Sequence, residues 1–185
     1  MLEIRIHGRG GQGVVTLAEL LAKVALKTGR EVQTLPFFGV ERRGAAVKAA
    51  VRFDSSPIKV RSLSYQTNIL VLMHENLLPI GLADGLAPNA VIVSNGEKPL
   101  QVNCQQWLVD ATDIAIRNNL IFGGEPFINV PMLGALCRVL DIPLPFVGKT
   151  INDQWGTKKA APNIAAAEDA YNAVRQILKE VAANE

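Results

Sequence analysis

Aromatic residues are scarce in this chain of 185 residues, at 5%, and charged residues make up only 19%. A typical soluble domain carries about 25% charged residues. The shortfall admits two readings: a large α/β core, or a surface covered by something else, since interface cores are depleted in charge. Two cysteines, Cys104 and Cys137, stand far apart with no CxxC pair. That spacing excludes an iron–sulfur cluster or a structural zinc held by this chain alone. No apolar run approaches the roughly 18 residues of a membrane span, and the first residues read as a strand instead of a signal peptide. The net charge of +2 is too small and too scattered to argue for nucleic acid. Internal repeats and low-complexity segments are missing too. The expectation is one cytoplasmic domain over residues 1–185.

What the chain does have begins at its first residues. Leu2-Glu3-Ile4-Arg5-Ile6-His7 alternates as a strand should, and Gly8-Arg9-Gly10-Gly11-Gln12-Gly13 comes next as a turn. A helix is predicted over 12–28, with Val14, Leu17, Ala18, Leu21, Val24 and Ala25 on one face and Gly29 at its C-terminal cap. A glycine turn between strand and helix leaves amide N–H groups unpaired at the helix start, where the dipole favours an anion. Gly8-x-Gly10-x-x-Gly13 matches the dinucleotide pattern GxGxxG in that context. The ribose-binding acid expected about 20 residues on is missing, because Glu31 lies at the start of the second strand. Three readings stand side by side: an NAD site, a tight structural turn, or an anion or phosphate-bearing group met at the turn.

The remaining pattern alternates strands and helices. Strands are predicted near 2–7, 31–35, 46–53, 67–73, 90–94 and 106–110, and Asp54-Ser55-Ser56-Pro57 predicts a hairpin to Ile58–Ser62. A short helix falls near Glu75–Leu82, and Asp110 or Thr112 suits the cap of another at Asp113–Asn118. Asn129 suits the cap of a helix through Leu140, and a short helix is expected over Pro145–Trp155. Ile164, Ala167, Tyr171, Val174, Leu178 and Val181 recur at helical spacing, predicting a terminal helix over 163–182. The fold class is α/β: a three-layer α/β/α domain with a mixed, mostly parallel sheet and a Rossmann-like start.

Two histidines, His7 and His74, lie at strand ends, where open α/β sheets bind ligands. Neither has a nucleophile or metal-ligand spacing beside it, so a hydrogen-bonded structural role is expected. The loop Pro36-Phe37-Phe38-Gly39-Val40-Glu41-Arg42-Arg43-Gly44 is less ordinary, because two adjacent phenylalanines gain nothing in water. Arginine beside aromatics suits an interface or a phosphate site.

Together the glycine turn and this loop resemble the gamma subunits of the 2-oxoacid:ferredoxin oxidoreductases, most of all the pyruvate synthase branch. The resemblance continues through Ser56-Pro57-Ile58, Asn129-Val130-Pro131-Met132-Leu133-Gly134-Ala135 and the terminal helix. It implies a complex that converts a 2-oxoacid and coenzyme A (CoA) to acyl-CoA and carbon dioxide while reducing ferredoxin. The form of the loop favours pyruvate or 2-ketoisovalerate. Thiamine diphosphate, magnesium and iron–sulfur clusters are then expected on alpha, beta and ferredoxin-like delta partners, with none bound by this chain alone. The chain has no catalytic residue of its own under this reading and no activity in isolation. Its implied binding residues are Gly8, Arg9, Gly10, Gly11, Gln12, Gly13, Glu41, Arg42 and Arg43, with Lys48 as a further cation, and CoA as the ligand. Competing readings are a free-standing nucleotide-binding oxidoreductase using the Gly8–Gly13 turn, and a purely structural scaffold.

Overall fold

The computed structural model describes residues 1–37, 44–60 and 66–177. The glycine turn joins the first two elements of the fold. Strand β1 (Leu2–Arg9) ends in it, and helix α1 (Val14–Lys27) starts from it, two residues later than the pattern predicted. Thr28 caps α1, and Gly29 comes next with φ 79°, the left-handed conformation that glycine adopts without strain.

Six more strands join β1 in the order β2-β3-β1-β4-β5-β6-β9. They are β2 (Glu31–Phe37), β3 (Ala46–Asp54), β4 (Thr67–Leu72), β5 (Leu86–Asn95), β6 (Gln105–Val109) and β9 (Arg175–Ile177). β1, β2, β4, β5 and β6 run one way, and β3 and β9 run against them. The sheet is therefore mixed and mostly parallel, as expected, although not through the expected hairpin. β3 pairs with β2 and β1; residues 55–60 form no strand, and 61–62 lie outside the described residues. The turn itself holds, because Asp54 Oδ1 accepts from the amides of Ser55 and Ser56.

Helices cover the two faces unequally. α1 lies with α4 (Asn129–Val139) and α5 (Leu144–Ala173) over Ile4, Ile6, Ile69, Val71 and Val93, and together they form the main core. The other face carries a 3-10 turn (Glu75–Leu77), the short α2 (Leu78–Ala83) and the segment after β5 over a smaller core of Leu70, Leu72, Leu77 and Ile92. Helix α3 (Ala111–Arg117) is capped by Asp110, whose side chain accepts from the Asp113 amide. A small hairpin of β7 (Ile121–Phe122) and β8 (Glu125–Pro126) leads into α4.

Two boundaries differ from the predicted ones. Asn129 is the first helical residue of α4 and Ile128 its cap, because the Asn129 side chain turns inward against Gly13. The predicted terminal helix ends at Ala173. Val174 is extended (φ −60°, ψ 130°), and Arg175–Ile177 pair with β6 as the sheet's edge. Its upstream part merges with the Pro145–Trp155 helix across a break at Gly156 (φ 71°). Leu178 and Val181 lie outside the described residues.

Candidate functional site

The glycine turn is built from inside and open from outside. A Cβ on Gly8 would stand 2.4 Å from Val14 Cγ2 and 3.0 Å from Met73 Sδ, so only glycine lets α1 approach the strand end this closely. Gln12 is spent within the turn: its Oε1 accepts from the Arg9 amide at 2.7 Å, and its own amide donates to Arg9 O at 3.0 Å. Gly10 is tied to the start of β3, donating to Ala45 O at 2.8 Å and accepting from Gly44 N at 3.2 Å. Gly13 caps α1 in the left-handed conformation (φ 78°) with no side-chain cap bond.

Among the described residues, these ties leave one side of the turn clear. Gly11 has φ 98°, is exposed, and a Cβ there would meet nothing within 4 Å. The amides of Gly11, Gly13, Val14, Val15 and Thr16 have no hydrogen-bond partner among the described residues. Helix α1 therefore offers its positive end to an incoming anion. Arg9, the last residue of β1, is half-buried, with no ion pair among the described residues.

A wall that sequence reasoning missed stands on the other side of Gly13. Asn129 Nδ2 and Phe127 Cζ would each lie 2.9 Å from a Cβ on Gly13. Asn129 is fully buried and its Nδ2 has no hydrogen-bond partner among the described residues. Its Oδ1 accepts from the Val130 amide at 2.9 Å, which fixes the amide orientation and aims the spare donor at the turn. No signal within the sequence joins Asn129 to Gly13, since 116 residues separate them and only the α1–α4 packing brings them together.

The remaining expected site residues divide. Glu41, Arg42 and Arg43 lie outside the described residues, as does Phe38. The chain re-enters at Gly44 and Ala45, both bonded to Gly10, so the described end of that loop meets the turn. Lys48 is already engaged: its Nζ lies 3.0 and 3.1 Å from the Asp84 oxygens and 5.0 Å from the Phe37 ring centroid.

Asp84 collects a larger buried network on the thinly covered face. Arg5 donates to Asp84 O at 2.6 Å and pairs with Glu3 at 2.9 Å, while Arg52 Nε lies 2.8 Å from the other Glu3 oxygen. His7 Nε2 is 3.2 Å from Asp84 Oδ2, an ion-pair distance without the alignment of a hydrogen bond. Burial holds the His7 pKa below its ordinary value, Asp84 pulls it back up, and Lys48 and Arg5 push it down again. His74 Nδ1 accepts from the Asn76 amide and caps the 3-10 turn. The expected hydrogen-bonded structural role thus holds for His74, while the buried His7 Nε2 makes no hydrogen bond among the described residues.

Residues 3–173 match the model of the pyruvate ferredoxin/flavodoxin oxidoreductase family. The chain belongs to this family. Among its relatives, pyruvate synthase subunit PorC of Methanocaldococcus jannaschii is 41% identical over 175 residues, covering 93% of this chain and 96% of that one. The pyruvate/ketoisovalerate oxidoreductases common subunit gamma of Thermococcus kodakarensis is 37% identical over 182 residues, with 93% and 96% covered. The crystal structure of the pyruvate oxidoreductase subunit PORC of Thermotoga maritima superposes with a TM-score of 0.81 at 31% identity, covering 96% of this chain and 98% of that one. The open glycine turn is therefore a feature of a gamma subunit of the pyruvate/ketoisovalerate ferredoxin oxidoreductases, one component of a multi-subunit enzyme.

Proposed function

We propose that this gamma subunit serves a complex that oxidatively decarboxylates pyruvate or 2-ketoisovalerate, with CoA as acyl acceptor and ferredoxin as electron acceptor. Its partners are alpha, beta and ferredoxin-like delta subunits, which carry thiamine diphosphate, magnesium and iron–sulfur clusters. This chain supports assembly and holds the CoA diphosphate at the Gly8–Gly13 turn. The carrying observation is the turn itself, whose amides at the start of α1 have no partner among the described residues and whose Gly11 is exposed. Fixed N–H donors and bidentate arginines suit a diphosphate. Arg42 and Arg43 supply further cations, with Glu41 counted among the binding residues, and Gly44 and Ala45, which follow them in the chain, are bonded to Gly10.

The test is the assembled complex carrying Arg42→Ala and Arg43→Ala together. The KM for CoA should rise by an amount equivalent to about 1–3 kcal/mol, the range for hydrogen bonds to charged groups. Unchanged CoA affinity in a complex that dissociates would reassign both arginines to a subunit interface.

A further inference from the structure

The Asp84 carboxylate has one partner bonded to it and a second poised beside it. Its main-chain carbonyl is held by Arg5, which donates to it at 2.6 Å, so the residue stays in place at the end of α2. Both carboxylate oxygens accept from Lys48 Nζ, at 3.0 and 3.1 Å. His7 Nε2 lies 3.2 Å from Oδ2, buried and without a hydrogen bond among the described residues. This cluster sits on the face of β1 opposite α1, away from the apolar core.

The charged groups that face His7 among the described residues are Asp84, Lys48 from β3 and Arg5 from its own strand. Glu3, farther along β1, is taken by Arg5 and Arg52, and β4 on the other flank sets the apolar Leu72 beside His7. Asp84 favours a charge on the imidazole, while Lys48 and Arg5 oppose it. Only one of those two cations can yield. The Arg5 side chain is 6% exposed and already paired, whereas Lys48 is 35% exposed, so water can take back the ammonium.

We infer that His7 and Lys48 exchange places on the Asp84 carboxylate as His7 gains and loses a proton. The proton comes from water and makes Nε2 a donor, which a small rotation of the ring aligns with Oδ2. Lys48 then leaves for solvent, and a tie between β3 and the turn after α2 opens. Burial sets the window below the ordinary 6.5 of histidine, so the Lys48 tie is closed at neutral pH and opens in acid. The coupling is reciprocal: whatever draws Lys48 off Asp84 raises the His7 pKa.

The full chain holds two histidines, so a proton NMR titration separates His7 from His74, and nitrogen relaxation reads the motion of each lysine ammonium. His7 should titrate below 6.5, and Lys48 Nζ should loosen with the same midpoint, while Lys27, tied to Asp153, does not. In Lys48→Met the His7 pKa should rise, because a charge opposing the proton is gone. In His7→Gln, Lys48 should stay ordered across the same range. A Lys48 that remains on Asp84 on both sides of the His7 midpoint overturns the exchange. So does an unshifted His7 pKa in Lys48→Met, a variant at a half-buried residue that reads the coupling even if His7→Gln fails to fold. A His7 that stays neutral until the chain unfolds overturns it as well.

Discussion

Strands β1 and β3 present two faces that are both largely withdrawn from water and chemically opposite. Under α1, Ile4, Ile6, Ala49 and Val51 pair across the strands in a wholly apolar layer, each at 1% exposure or less. On the reverse, Glu3 opposes Arg52 at 1% and 0% exposure, and His7 opposes Lys48. The apolar face is held by area removed from water, a term that grows with each methylene and is indifferent to partners. The charged face is held by mutual compensation. Glu3, Arg5 and Arg52 have lost their hydration, and their neighbours offset that loss, while Lys48 and Asp84 at the rim keep part of theirs. One face should therefore respond to volume and the other to the loss of a single charge.

The largest effect is expected on the charged face. Glu3→Gln keeps the shape of the side chain but removes the carboxylate that Arg5 and Arg52 share, leaving two buried cations less well compensated. Urea unfolding of the purified chain should show about 3–5 kcal/mol of lost stability. A loss under about 1 kcal/mol would mean that water reaches this face in solution, and the contrast between the faces would collapse.

Ile6→Ala probes the opposite side of the same strand. The lost transfer energy plus the cavity left under α1 should cost about 3 kcal/mol in the same measurement. Ile6→Leu should recover most of it, because volume is conserved. Glu3→Asp, although equally conservative, should not recover on the charged face, since its shorter arm cannot reach both arginines.

The smallest effect is a slope with pH. The His7 pKa is held below its ordinary 6.5, chiefly by burial. The unfolded chain then binds the proton first as pH falls, so stability declines from about pH 6.5 down toward the folded-state value and is flat above it. The slope contributed by one histidine is at most about 1.4 kcal/mol per pH unit. Comparing pH-dependent unfolding of the chain and of His7→Gln should remove that contribution. An unaltered slope in the variant would show that His7 titrates alike in both states.

The strand, the glycine turn and α1 were legible in the sequence because each rests on neighbours a few residues apart. Alternation in Leu2–His7, left-handed glycines and the helical spacing of Val14, Leu17 and Leu21 all act locally. Alternation did not reveal that the polar face of β1 is also buried. A polar residue looks the same in sequence whether water or a distant partner satisfies it, and Asp84 lies 79 residues from Arg5.

Sequence alone determined the α/β class, the strand-to-helix glycine turn and the resemblance to gamma subunits, since these reside in local periodicity and in two short motifs. Tertiary structure decided what no local pattern carries. The apolar spacing at Ile164, Ala167 and Tyr171 continues to Val174, yet the backbone there turns extended, because the unpaired edge of β6 offers hydrogen bonds to Arg175–Ile177. Likewise Asn129 left its expected capping position once α4 packed against Gly13, and Phe122 and Phe127 came to flank the turn through a hairpin more than 100 residues away. Long-range pairing and packing outweigh local preference wherever they satisfy a backbone edge or fill a space that the local choice would leave open.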